Sequence, residues 1–207
     1  MKKVKIGVLV SGGGTNLQAL IEAREAGKIN GEISVVISNR PDAFALERAK
    51  KHKIEALFLD PKKYKTRENY SKALTTELKK RGIGLVCLAG FMCILTTYFV
   101  KNFKYKCLNI HPALLPSFGG EGMYGHHVHE AVIKSGVKFS GCTVHFVDEG
   151  CDTGPIILQR VVPVRDTDTA DTLAARILKE EHKAYPEAVR LFCAGKLKIQ
   201  NKRVLIK

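Results

Sequence analysis

The first 110 residues alternate short apolar runs with amphipathic stretches, and that alternation most limits the fold. VKIGVLV (4–10) is continuously apolar, as a strand covered on both faces must be. In TNLQALIEAREAG (15–27), Leu17, Leu20 and Ile21 share one helical face, and Gly27 offers a stop. EISVVIS (32–38) reads as a second strand, with Asp42 placed to cap a helix over AFALERAKKH (43–52). EALFLD (55–60) is a third strand. The helix NYSKALTTELKKRG (69–82) ends in Lys79, Lys80, Arg81 and Gly82, which suits the negative end of its dipole. LVCLAG (85–90), a short helix TTYFVKNF (96–103) and CLNI (107–110) complete the series. Strands alternating with helices imply a mostly parallel sheet between helical layers, a three-layer αβα architecture with a Rossmann-like first half.

After residue 138 the rhythm changes. FSGCTVHFV (139–147) and PIILQRVVPV (155–164) are strands joined by DEGCDTG, too short for a crossover helix, so they form an antiparallel pair. A helix follows over 169–195, which Pro186 is expected to kink or split, and KLKIQNKRVLI (196–206) reads as a hairpin. The expected organisation is one domain over 1–207, with a first half (1–105), a second half (106–195) and a tail (196–207).

Bulk properties narrow the classes. No apolar run approaches the roughly 18 residues of a membrane span. The opening MKKVKIGVLV runs into SGGGTN without a small-residue cleavage site, so it reads as a first strand rather than a signal peptide. A cytoplasmic location is expected. Six scattered cysteines form no C-x-x-C pair and read as buried small hydrophobes. The formal charge of +14 fits anionic small substrates; nucleic acid is the rival, but no aromatic interleaving accompanies the lysines.

Ligands of open α/β sheets bind at the carboxyl ends of strands. SGGGTNL (11–17) follows the first strand and opens a helix, whose free N–H groups suit one small phosphate. It lacks the G-x-G-x-x-G spacing and the Walker lysine, so a ribose phosphate fits better than a dinucleotide. LAGFMCIL (88–95) releases apolar side chains that can line a pocket or simply pack. Asn109 and His111 lie two apart at a strand end and point the same way, with Pro112 and Pro116 stiffening the loop behind them. Asn is a neutral donor and His a switchable acid, a pair suited to holding and protonating an oxyanion. DEGCDTGPI (148–156) supplies Asp148, Glu149 and Asp152, any of which can raise the pKa of His111. His126, His127 and His129 open a helix without a zinc ligand pattern, and no metal is expected.

Together, strand–SGGGTN–helix, LAGFM-x-IL, NIHPALLPSF-x-G, G-x-TVHFVDEG-x-DTGPII and a late EEH resemble the folate-dependent phosphoribosylglycinamide formyltransferases. The resemblance runs from about residue 4 to 200. It implies a formyltransferase-type fold and a one-carbon transferase of purine biosynthesis. The formyl group would pass from the co-substrate 10-formyltetrahydrofolate to the amine of 5′-phosphoribosylglycinamide. The family's catalytic residues fall on Asn109, His111 and Asp152, and His111 is expected to be kept protonated by Asp152. The phosphate-binding loop falls on Gly14, Thr15 and Asn16, and Glu181 on a residue holding the glycinamide. Arg67, Met92, Cys93, Ile94, Leu95 and Asn109 fall on folate-binding positions. Many members carry Arg where this chain has Cys93, and the stretch GGEGMYGHHVHEA is slightly longer than in some. The expected partners are small molecules, not nucleic acid or membrane, with a monomer or dimer as the working form. Formyltetrahydrofolate deformylase and methionyl-tRNA formyltransferase are alternatives that carry additional domains, which a chain of 207 residues is not expected to hold. A basic α/β nucleic-acid-binding module leaves the Asn109, His111 and Asp152 set without a purpose.

Overall fold

The computed structural model describes residues 3–207. Met1 and Lys2, the start of the stretch weighed as a signal peptide, lie outside the described residues. Two compact units divide between Leu108 and Asn109.

In the first unit β1 (Val4–Val10), β2 (Gly31–Ser38), β3 (Glu55–Phe58) and β4 (Leu85–Leu88) lie in the order β3-β2-β1-β4, all parallel. The apolar runs are central for the reason their sequence implies: Ile6, Val8, Leu9 and Val10 of β1 and all four residues of β4 are buried. Between the strands run α1 (Thr15–Glu25), α2 (Phe44–Lys51), α3 (Arg67–Lys80) and α4 (Thr97–Asn102). Leu17, Leu20 and Ile21 of α1 are buried, as the periodicity predicts.

Helix starts differ from expectation in two places. Asp42 does not cap α2; it pairs with Arg40, and Ala43 holds the cap position. α3 begins at Arg67, earlier than expected, because the Thr66 hydroxyl accepts from Asn69 N at 3.1 Å. β3 ends at Phe58, and Asp60 instead caps a 3₁₀ turn over Pro61–Lys63.

β5 (Cys107–His111) crosses the division. The second unit holds α5 (His126–Ser135), β6 (Phe139–Phe146), β7 (Ile156–Pro163), α6 (Ala170–Cys193) and a hairpin of β8 (Leu197–Gln200) and β9 (Arg203–Ile206). β6 and β7 are antiparallel, as the short linker requires. α6 opens on a capping box between Thr169 and Thr172, packs on β6 and β7, and touches α5. Pro186 lies inside α6 without splitting it, with Ala184, Tyr185, Ala188 and Val189 buried on either side. Burial of that face outweighs the one backbone bond that proline removes. The expected fold class holds: a mostly parallel α/β sheet with an antiparallel strand pair.

Candidate active site

In the first unit Gly14 caps α1 in the left-handed region (φ 71), where a side chain would be strained. A Cβ there would stand 2.6 Å from Ala45 Cβ. α2 clamps the loop: Ala45 N donates to Gly12 O (3.1 Å) and Arg48 Nε to Gly13 O (2.8 Å). No acidic side chain sits in the first turn of α1 and no side chain caps its start, a setting that does not oppose an anion there.

The 90–94 segment is tied to strand ends. Ser11 N donates to Gly90 O (3.0 Å), Met92 N donates to Ser11 Oγ (2.8 Å), and Asn39 Nδ2 donates to Cys93 Sγ (2.9 Å). Burial raises the Cys93 thiol above its ordinary value, against the Asn39 bond, so it stays a neutral thiol. Met92, Cys93, Ile94 and Arg67 line one cavity of about 470 Å³. Leu95, also expected at the folate position, is not part of its lining. Tyr64, Lys65 and Tyr70 are, and the sequence reading missed them. Apolar walls beside two cations fit a ligand with an apolar body and an acidic end.

In the second unit, β5 delivers Asn109 and His111 to one cluster with Asp152, as their spacing predicts. His111, only 3% exposed, donates from Nε2 to Phe118 O at 2.8 Å. Its Nδ1 faces Asp152 Oδ2 at 3.5 Å. Asp152 has φ 58, a region a non-glycine residue enters at a cost, and Gly120 N donates to its Oδ2 at 3.2 Å. Asn109 Nδ2 makes only long contacts, 3.3 Å to His145 Nε2 and 3.4 Å to Asp152 Oδ1, which leaves its N–H groups disposable. Asp148 is elsewhere: it closes its own turn, accepting from Thr153 Oγ1 (2.6 Å) and Gly150 N (3.2 Å).

The charge state of His111 reverses expectation. Burial pushes its pKa below the ordinary 6.5, and the opposing pull of Asp152 and the Phe118 bond does not recover it. The resting ring is therefore neutral at pH 7, its proton on Nε2. Asp152 sits below the usual carboxylate range: burial raises it, but His145, His111 and the Gly120 N–H together outweigh burial.

His145 is the other residue missed. It is 2% exposed, donates from Nδ1 to Phe146 O (2.9 Å), and holds Nε2 3.5 Å from Asp152 Oδ1. The signal was present: Thr143 and His145 are polar residues two apart on an apolar strand. Thr143 anchors the proline loop, donating to Ala113 O (2.6 Å) and accepting from Leu115 N (3.0 Å). Glu181 is buried on α6. His126 pairs with Glu130 and Asp171 on the surface, and no group of three or more His, Cys, Asp or Glu among the described residues is arranged to hold a metal ion. No described helix is long and apolar enough to cross a membrane.

Residues 4–189 match the formyl transferase family. The chain is 46% identical over 202 residues to the trifunctional purine biosynthetic protein adenosine-3 of Chironomus tentans, covering 97% of this chain and 14% of that protein. It is 40% identical over 197 residues to the chloroplastic phosphoribosylglycinamide formyltransferase of Vigna unguiculata, covering 95% and 63%. It thus spans less than two thirds of each of these curated relatives. Glycinamide ribonucleotide transformylase 1 from Symbiobacterium toebii superposes with a TM-score of 0.94 at 48% identity, over 99% of this chain and 94% of that one. The expected formyltransferase-type fold is borne out.

Proposed function

Since the chain belongs to the formyl transferase family, we propose that it transfers the formyl group of 10-formyltetrahydrofolate to the amine of 5′-phosphoribosylglycinamide. The observation that carries this reading is the Asn109, His111 and Asp152 cluster, a donor and a proton carrier at the end of β5 facing a half-buried carboxylate from the turn between β6 and β7. The names of the relatives support it.

In this reading the substrate amine attacks the formyl carbon, a C–N bond forms, and the bond to N10 breaks. The amine loses one proton and N10 gains one. His111 is the carrier: neutral at rest, it takes up the amine's proton and returns it to N10. Its Nε2 proton is committed to Phe118, so the mobile proton belongs at Nδ1, where the Asp152 charge stabilises the imidazolium. Asn109 donates to the oxyanion. No covalent enzyme intermediate is required. Gly14, Thr15 and Asn16 take the ribonucleotide phosphate and Glu181 the glycinamide. Arg67, Met92, Cys93, Ile94 and Leu95, with Asn109, bind the folate. The cavity's apolar walls and cations suit such a co-substrate. The reading places the protein in the cytoplasm, as a monomer or dimer acting on small molecules without metal.

Folate absorbance followed with and without 5′-phosphoribosylglycinamide tests it. Acceptor-dependent turnover supports transfer; turnover without acceptor would identify a hydrolase instead, and no turnover in folded protein would overturn the reading.

A further inference from the structure

One loop of the second unit touches both members of the His111–Asp152 pair. His111 Nε2 donates to Phe118 O at 2.8 Å, and Gly120 N donates to Asp152 Oδ2 at 3.2 Å. One chain segment thus sets the place of the ring and of the carboxylate. That segment is not relaxed. Phe118 stands at φ 55, where a non-glycine residue is held at a cost and only by its surroundings. Gly119, next to it, has no room for a side chain: a Cβ would stand 2.4 Å from Leu115 Cδ2 and 3.3 Å from Asp152 Cβ.

The other end of the loop is held by two side chains. Thr143 of β6 and Gln159 of β7 stand directly opposite each other in the antiparallel pair, so they share one face of the sheet. The Thr143 hydroxyl bonds Ala113 O and Leu115 N. Gln159 Nε2 donates to Leu115 O at 2.9 Å and to Thr143 Oγ1 at 3.0 Å. Leu115 is therefore bonded through both its N–H and its carbonyl, and its side chain is the one that crowds Gly119. The two donors of one amide suit this pair of acceptors; an apolar side chain has no donor, and a carboxylate would repel the Leu115 carbonyl. Gln159 itself is exposed, so core packing does not demand an amide there.

We propose that Gln159 is a positioning residue for the transfer reaction. With Thr143 it fixes the base of the 113–120 loop, and through it the Phe118 carbonyl that keeps the resting proton of His111 on Nε2 and leaves Nδ1 for the proton in transit. The identity of the reaction rests on the formyl-transfer reading.

The test is Gln159→Met, which keeps the length of the side chain and removes its donors. The kcat should fall roughly tenfold while the KM values for both substrates stay within about twofold, the pattern of a lost transition-state arrangement. Ring nitrogen-15 NMR of the free protein gives the readout that a merely structural role would not move. Wild type should show His111 protonated at Nε2, and the variant a signal averaged toward the Nδ1–H tautomer. Gln159→Glu, which sets a carboxylate against the Leu115 carbonyl, should give the same two changes and stands in if the methionine variant does not fold. A kcat within twofold of wild type, a raised KM, or a lowered kcat with an unchanged tautomer would overturn the proposal. If wild type shows no acceptor-dependent turnover, the functional reading fails separately. The ring spectra then decide the loop's role: a tautomer shift in the variants sustains it, and an unchanged ring refutes it.

Discussion

His111 Nδ1 and Asp152 Oδ2 stand 3.5 Å apart inside the second unit, while the other ring nitrogen of His111 is bonded to Phe118 O. Burial lowers the pKa of this histidine and the carboxylate raises it, with burial the larger. Removing the charge in Asp152→Asn leaves burial less opposed, so the His111 pKa should fall further. Ring-proton NMR titration of the free protein should show that downward shift, and kcat should drop by roughly 10²–10⁴ because the imidazolium loses its counter-charge. An upward shift would contradict the assignment.

Asp148 lies four residues away and makes a different prediction. It accepts from Thr153 Oγ1 and Gly150 N, so Asp148→Ala should cost about 1 kcal/mol of stability and leave kcat within a few-fold. Denaturant melts and steady-state rates separate the two carboxylates. Equal kcat losses for Asp148→Ala and Asp152→Asn would remove the distinction between them.

Stability should depend on pH through two buried histidines. His111 and His129 are both held below 6.5, His129 by burial and then by the charges of His126 and His111. A folded pKa below the unfolded one means the unfolded chain binds more protons as pH falls below about 6.5, so stability is full above that pH and declines below it. Asp152, held below its ordinary 3.8, adds a loss only below about pH 4. His126 is raised by Asp171 and Glu130 and works in the opposite sense, weakly because water screens it. Tm should therefore fall from pH 7.5 to 5.5. In His129→Leu the fall should be shallower, since Nδ1 of His129 has no partner to lose. A Tm flat over that range would contradict both assignments.

Gly14 and Gly27 share a left-handed backbone, φ 71 and 72, but only Gly14 is crowded. Gly27→Ala should cost about 1–2 kcal/mol of backbone strain and leave the ribonucleotide KM unchanged. Gly14→Ala should cost more, because its Cβ meets Ala45, and should raise that KM by displacing the loop from α2. Equal effects on stability and KM would mean that the crowding is relieved by a simple shift.

Much of this was readable in the residues, for reasons that also explain what was not. β1, β4 and β5 are legible because a strand buried on both faces must be apolar throughout, and Asn109 and His111 because they break that rule at a strand's end. Which carboxylate meets His111 is settled by tertiary contact: Asp148 and Asp152 sit in one turn and have equal turn propensity. The charge of His111 was misread because the neighbouring acid is visible in sequence and the depth of burial is not. Tyr70 reads as an ordinary helix residue, since lining a cavity is a property of the fold around it. Pro186 does not split α6, because the apolar face of that helix decides it globally.

The most direct test of the central claim is single-turnover mass spectrometry of the acceptor. Enzyme in excess over 5′-phosphoribosylglycinamide is mixed with 10-formyltetrahydrofolate, for wild type and for a folded His111→Ala. The account predicts N-formylated acceptor with wild type and a rate lower by roughly 10²–10⁴ in the variant. Unformylated acceptor with wild type, or formylation at the same rate without His111, would contradict it.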